Sequence, residues 1–310
     1  FRLGRSAWWT FLVASLGWMF DTFDQRLFVL VRAPAIADLL HSAGVAAQTR
    51  ASTWVTALFI AGWATGGVIF GFYGDKLGRV RTMSLTILIY SVCTGLSALS
   101  RGIGDFALLR FLTGVGIGGE FAAGTALIAE TMPSRFRPYA LGLMQAVAMF
   151  GTMLGTVCTM FVEGTASYDG VAGWRWLLAL GALPALLLIA IRFTVKESPA
   201  WIREREEAQR SGTSLGGLAV LLKRPWLRIS LIGAVLGFAG QSGIWAIGTW
   251  TPELMRLVLN KAADLSPAQR SEIIGTGLLL KDVASFVGII TIVAVAPVSY
   301  THLRAHETRE

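Results

Sequence analysis

Charge is scarce in this 310-residue chain: Asp, Glu, Lys and Arg make up 15% of it, against about 25% in a soluble domain. With 54% hydrophobic residues and a mean hydropathy of +0.60, it cannot cover its apolar surface in water. Strand-length alternation of apolar and polar residues, the mark of an outer-membrane barrel, is missing too. Helices, which satisfy their own backbone hydrogen bonds in lipid, remain as the way across a membrane. Cysteine is rare: Cys93 and Cys158 are the two present, each inside an apolar run, where a small buried thiol is the expected role. Neither a C-x-x-C nor a Cys/His cluster occurs, which excludes a disulfide framework and a thiolate metal site; no metal and no cofactor is expected. Of three histidines, His302 and His306 lie at the very end and His41 in a connection, so no imidazole is available to carry a proton through an apolar segment.

Other classes fall away for want of their residues. The net charge of +8 and the isoelectric point near 10 come without a basic face carrying base-reading aromatics, so nucleic acid is not a partner. An enzyme would need a nucleophile–base or metal-ligand cluster, and a channel repeated pore-lining rings. The sequence spells neither. A cleavable signal is also lacking, because the first apolar block is long and runs on into charged residues.

What the chain does have is apolar blocks near 8–30, 52–73, 83–100, 106–130, 139–162, 174–194, 229–251 and 273–296. A spanning helix needs roughly 20 residues, so eight spans are expected. With a cytoplasmic N-terminus, the inside segments hold Arg2, Arg5, Lys76, Arg79, Arg81, Arg135, Arg137 and the Lys and Arg of 196–228. The outside connections hold Arg32, Arg50, Arg101, Arg175, Arg256, Lys261 and Arg270. The inside carries twice as many, as the positive-inside rule requires. This predicts a multi-pass protein of an inner (plasma) membrane, with its basic surplus against anionic headgroups of the lipid bilayer. Residues 1–195 read as a six-helix bundle, 196–228 as a cytoplasmic connecting loop and 229–296 as two further spans. Ser198-Pro199 marks an N-cap and first helical position, so a short surface helix is expected from Pro199 to about Arg210, as a solvated connector. The run from Ser299 to Glu310 breaks the composition and resembles translated adapter sequence; 297–310 is set apart as a non-native tail.

Between the second and third spans stands Gly71-Phe72-Tyr73-Gly74-Asp75-Lys76-Leu77-Gly78-Arg79-Val80-Arg81. Gly71 and Gly74 permit close backbone approach and Gly78 a tight turn, while Asp75 can accept hydrogen bonds from helix-end amides or an arginine. The stretch resembles the G-x-x-x-D-x-x-G-R-[RK]-x-[RK] signature of the major facilitator superfamily, with Val80 where a base is common. Arg110-x-x-x-Gly114-x-x-x-Gly118-Gly119-Glu120 resembles its fourth-helix motif, and the stretch from Glu130 to Arg137 the loop that follows. Trp174-Arg175-Trp176 through Pro184, with Lys196-Glu197-Ser198-Pro199-Ala200-Trp201, resembles the sixth helix and P-E-S-P-R-W loop of sugar and organic-acid porters, with Lys196 for the first proline and Ala200 for the arginine. The resemblance covers about residues 8–296. It implies an all-α membrane protein of the major facilitator fold: a six-helix N-terminal bundle plus the first two helices of a truncated C-terminal bundle. Gly114-Val115-Gly116-Ile117-Gly118-Gly119 also spells G-x-G-x-x-G, but no strand precedes it; small residues packing two membrane helices together are the better reading.

Charges inside apolar spans are costly and therefore functional candidates. Asp21 and Asp24 lie at i and i+3 in the outer half of the first span. Arg110 enters the antiparallel fourth span at a matching depth by helix rise, so it is expected to face that acid pair. Paired acids there resemble the D-x-x-D of aromatic-acid and related carboxylate–proton symporters, and the resemblance implies a cavity lined by the first, fourth, seventh and tenth helices. Glu120 lies roughly 15 Å deeper. With no histidine in a span, a coupled proton needs a carboxylate: Asp21, Asp24 or Glu120. The alternative for Asp24, and more so for Arg26, is a place at the outer interface, where each would merely snorkel. Lys281 and Asp282, adjacent and so on different faces, are candidates for binding an anion or for partnering a missing helix. Gln241 and Trp245 suit a hydrogen bond and a flat apolar contact in a substrate cavity, or helix packing. The expected function is proton-coupled symport of a small organic acid by alternating access, with the loop of Gly71, Asp75, Gly78, Arg79 and Arg81 as a conformational switch and a single chain as the working unit. A sugar porter or an uncoupled facilitator of small metabolites is the alternative.

Overall fold

In a computed structural model the chain is helical almost throughout. The structure describes residues 4–41, 44–162, 166–186, 191, 194–212, 223–224, 226–261 and 265–307. The helices are α1 (Arg5–Leu39), α2 (Val45–Leu77), α3 (Arg79–Ser97), α4 (Ile103–Thr131), α5 (Arg137–Phe161), α6 (Gly173–Leu180), α7 (Pro199–Ser211), α8 (Trp226–Leu259) and α9 (Pro267–Glu307). A two-residue hairpin, β1 (Ser167–Tyr168) and β2 (Val171–Ala172), precedes α6. Asp169 and Gly170 turn it at positive φ, the backbone such tight hairpins need.

Among the described residues, six helices are long and apolar enough to cross a membrane: α2, α3, α4, α5, α8 and residues Gln269–Val295 of α9. The first and sixth expected spans depart from that simple picture for different reasons. Helix α1 has 35 residues, ample length, but carries Asp21, Asp24, Arg26 and Arg32, all buried. It is shielded by its neighbours, so its sequence need not be uniformly apolar. The sixth block breaks after Leu180: Gly181 and Ala182 form a turn and Leu183–Leu186 a single 3-10 turn around Pro184, where proline removes a helix donor. The rest of that block at 187–190 and 192–193, like 213–222 and 225 of the connecting loop, lies outside the described residues. Helix α9 continues past Pro297 to Glu307.

Glycine spacing sets the packing of the first bundle. On α2, Gly62 and Gly66 abut the backbone of Phe111 and Val115; on α4, Gly114 and Gly118 abut that of Phe59 and Trp63. A Cβ at any of these would run into a main-chain carbonyl. The four therefore form reciprocal small-x-x-x-small faces that bring α2 and α4 together, which is the packing role expected of the glycine run. Gly116 does the same against Thr86 and Tyr90 of α3, and Gly151 of α5 against Met19 and Thr22 of α1. Helix α4 is thus wedged centrally, with α1 on its remaining side. That is why its polar residues point at those of α1.

Candidate functional site

The sequence puts four ionisable residues at the centre of this packing, and all four are fully shielded: Asp21, Asp24, Arg110 and Glu120 each have 0% exposure. Arg110 Nη1 stands 3.7 Å from Asp24 Oδ2. Its Nη2 donates to Ser97 Oγ at 2.8 Å, and its guanidinium lies near the rings of Phe28 and Phe106 at 5.7 and 5.9 Å. Arg110 is therefore held between α1, α3 and its own helix. At 3.7 Å, the contact with Asp24 is an ion pair of opposite charges rather than a tight hydrogen bond.

The expectation that Arg110 faces both acids is corrected in one respect. Asp24 pairs with it, but Asp21 turns instead to Glu120, with Tyr90 of α3 beside it. Residues three apart on a helix are about 60° apart around its axis and 4.5 Å along it, enough to give the two acids different partners. Tyr90, also 0% exposed, was not singled out in the sequence, because a tyrosine in an apolar span reads as packing.

Arg26 and Arg32 are where sequence reasoning failed most. Neither snorkels and neither lies in a connection: they are 6% and 0% exposed within α1. Arg26 Nη2 donates to both carboxylate oxygens of Asp282 on α9 at 2.8 Å. Arg32 donates to Thr56 at 2.8 Å and to Glu253 of α8 at 3.2 Å, with Trp250 stacked 5.1 Å away. Of the candidate pair on α9, Asp282 is thus committed to α1, and Lys281 Nζ joins it at 3.0 Å. The different-face argument is corrected, since a flexible lysine stem reaches round to its neighbour. No signal in the sequence pairs residues 221 to 256 positions apart.

Gln241 and Trp245 of α8 do line a cavity, about 730 Å3 in volume, between α8, α2 and α4. Trp63, Phe121, Thr249 and Trp250 share its wall, and Trp245 meets Trp63 with ring centres 4.9 Å apart. Largely apolar and aromatic with a few polar groups, it has the make-up of a small-molecule pocket. Lys281 and Asp282 are not part of this wall.

At the other end of the bundle the loop motif closes on itself. Gly78 takes φ +103, a conformation glycine adopts without strain. Arg79 bridges Asp75 at 2.6 Å and Glu130 at 2.9 Å. The helix-end amides expected for Asp75 belong to Glu197 instead, which accepts from the backbone N–H of Arg79, Val80 and Arg81 at 2.9, 2.6 and 3.3 Å. A carboxylate at a helix N-terminus is well placed against the first-turn donors. Ser198 caps α7 as expected, yet α7 is docked rather than merely solvated: Trp201 is 4% exposed and its Nε1 donates to the Asp75 carbonyl at 2.7 Å. Gly74 lies close to Arg79, whereas Gly71 has open space beside it and Arg81 is exposed; close approach explains the first of these glycines and not the second.

Comparison with known proteins fits this geometry. Residues 10–220 match the family model described as sugar (and other) transporter. A probable 4-methylmuconolactone transporter of Cupriavidus pinatubonensis is 31% identical over 79% of this chain and 55% of its own length. The sialic acid transporter NanX of Escherichia coli is 30% identical over 78% and 55%, and the cis,cis-muconate transport protein of Acinetobacter baylyi 29% over 82% and 60%. The chain spans just over half the length of these relatives. Among solved structures, a D-xylose–proton symporter superposes with TM-score 0.70 at 19% identity, covering 95% of this chain and 70% of that one; at that identity the likeness concerns the fold. A polytopic helical bundle with buried acids beside an arginine and a basic loop after the second helix is in keeping with the family these matches define. The chain belongs to the sugar (and other) transporter family of the major facilitator superfamily.

Proposed function

We propose that this protein is a proton-coupled symporter of a small organic acid, working by alternating access as a single chain in an inner (plasma) membrane with its N-terminus in the cytoplasm. The observation that carries the reading is the fully buried Asp24–Arg110 pair between α1 and α4. An arginine held by one carboxylate can exchange it for another. When a substrate carboxylate takes Arg110, the buried acids around it lose their counter-charge, and this favours protonation among them. Substrate and proton then bind together. The aromatic cavity of Trp63 and Trp245, with Gln241 beside it, suits the unsaturated or ring body of such an acid. Relatives named for muconate, 4-methylmuconolactone and sialic acid carriage are in keeping with this substrate class.

Alternating access moves two halves about a central site. In this account Arg26–Asp282 and Arg32–Glu253 tie α1 to the second half on the outer side, while the Asp75–Arg79–Glu130 network with Glu197 and α7 latches the cytoplasmic end of the first half.

The test is uptake by the full-length protein in liposomes, with an imposed pH gradient acid on the substrate side and a panel of aromatic acids, unsaturated dicarboxylates, sialic acid and pentoses. The reading expects at least one acid to accumulate and collapse of the gradient to stop it. Accumulation of pentoses alone would make it a sugar porter; acid uptake indifferent to the gradient would make it an uncoupled facilitator.

A further inference from the structure

The Asp21–Glu120 contact poses a problem that the Asp24–Arg110 pair does not. Both carboxyls are fully buried and they interact directly, α1 to α4. Among the described residues, none of their four oxygens has a hydrogen-bond donor. The groups facing them are Tyr90 from α3, Asp24 from α1 and, across Gly124, Met144 from α5; none is cationic, and Arg110 is engaged by Asp24 and Ser97. The Tyr90 hydroxyl is itself fully buried and without a hydrogen-bond partner while directed at Asp21. Space for the arrangement is built in: a Cβ on Gly17 would overlap Glu120 Oε1, and one on Gly124 would touch it at 3.4 Å.

Two acceptor-only groups in contact in a low-dielectric interior repel each other and satisfy no lone pair. One proton removes both difficulties, turning an acceptor–acceptor clash into a short O–H···O hydrogen bond carrying one net charge. We propose that Asp21 and Glu120 form a single proton-binding site, a carboxylic acid–carboxylate pair with Tyr90 as the positioning hydroxyl, and that this proton is the one carried with the solute. The second clause rests on the symport reading above; the first does not.

The cycle balances. With the pair open to water on one side, its O–H bond breaks and the proton leaves to water, so the pair goes from one negative charge to two. With a solute carboxylate on Arg110, closing the protein over two adjacent unprotonated carboxylates as well is strongly disfavoured. Occlusion with solute therefore waits until a proton from the water on the loading side remakes the O–H bond; once solute and proton have left on the other side, Arg110 returns to Asp24, and the empty site, no more negative than the loaded and protonated one, closes for the next round. In this arrangement Asp24 and Arg110 sense the substrate's charge, and Asp21 with Glu120 supplies the rule that the protein does not close over solute without its proton.

Infrared spectroscopy of the full-length protein in lipid at neutral pH, with wild type compared against Glu120→Gln, Asp21→Asn and Tyr90→Phe, tests the pair directly. A shared proton predicts a carbonyl stretch of a protonated carboxyl in wild type. Either amide variant should remove it, because the amide N–H₂ then donates to the remaining carboxylate, and Tyr90→Phe should shift the band without removing it. A band absent from wild type, or one that survives either amide substitution, overturns the proposal. Tyr90→Phe, which deletes one hydroxyl, guards against reading a folding failure as loss of the band. Counterflow of an acid substrate separates the two clauses. The coupling clause expects Glu120→Gln to retain counterflow and lose gradient-driven accumulation. If both persist while the band behaves as predicted, the proton site stands and its coupling role falls.

Discussion

Arginine at position 26 has its guanidinium on the two oxygens of Asp282, each at 2.8 Å, with both side chains almost wholly out of contact with solvent. Asp282→Asn strands the Arg26 charge and should destabilise the protein by about 3–5 kcal/mol; Arg26→Met should cost less, because Lys281 stays on Asp282 at 3.0 Å. The double variant Arg26→Met/Asp282→Leu should recover most of that loss, because an apolar pair of similar volume needs no counter-charge. Thermal unfolding in detergent, followed by circular dichroism, measures it; a double variant no more stable than the singles would contradict the ion-pair account. At the central site the expectation concerns activity rather than stability. Arg110→Lys keeps one charge but loses the planar fork that reaches Ser97 and Asp24 together, so acid uptake should fall by about tenfold or more, the equivalent of one 1.4 kcal/mol interaction. Unchanged uptake kinetics would remove Arg110 from substrate binding.

Among the helices, α4 shows how much of the architecture is written locally. Its glycines at 114 and 118 answer Gly62 and Gly66 of α2 across a backbone-to-backbone contact. Gly114→Ala or Gly66→Ala should each cost about 1–3 kcal/mol by overpacking, whereas Gly71→Ala, beside open space, should be close to neutral. Comparing melting temperatures of the three variants checks this, and a Gly71→Ala loss as large as the others would refute the packing assignment. Spacing of this kind is legible in sequence because it depends on residues a turn apart on one helix. The apolar blocks, the glycine faces, the Ser198 cap and the charged residues of α1 and α4 were all readable for that reason. Arg32 was not. Read on its own, a charge at the end of an apolar block signals a span's limit, and only Thr56, Trp250 and Glu253, brought from α2 and α8 by the fold, make its burial affordable. The division of labour between Asp21 and Asp24 was likewise hidden. Three residues of helical offset are visible in the sequence, but which neighbour each acid meets depends on how α3 and α4 are placed.

For the molecule as a whole, the contacts fall into two groups with opposite consequences. At one end α1 is bonded to α8 and α9 by Arg26, Arg32 and the Arg256 donor to the Leu30 carbonyl. At the other end α8 has its residues 231–243 exposed, so contact with the first bundle there is slight. Helix α9 nevertheless packs along α5, from Gly275 against Met160 to Val293 against Gly142, so it is the ion pairs, and not the whole interface, that gather at the end near Asp282. Arg32→Met should loosen the ion-paired end and leave the Glu197 hydrogen bonds intact. Spin labels at Gln48 and Arg270, replaced by cysteine in a Cys93→Ala/Cys158→Ala background, should then report a longer distance than in the protein retaining Arg32; no change would show that the pair does not hold that end together.

The claim on which the account turns is that the acids of α1 couple a proton to the movement of the solute. Gradient-driven accumulation and substrate counterflow, measured side by side for wild type, Asp21→Asn and Asp24→Asn in proteoliposomes of verified insertion, test it most directly. The account predicts that wild type performs both and that each variant loses accumulation. Proton-driven accumulation that persists in both variants would contradict it.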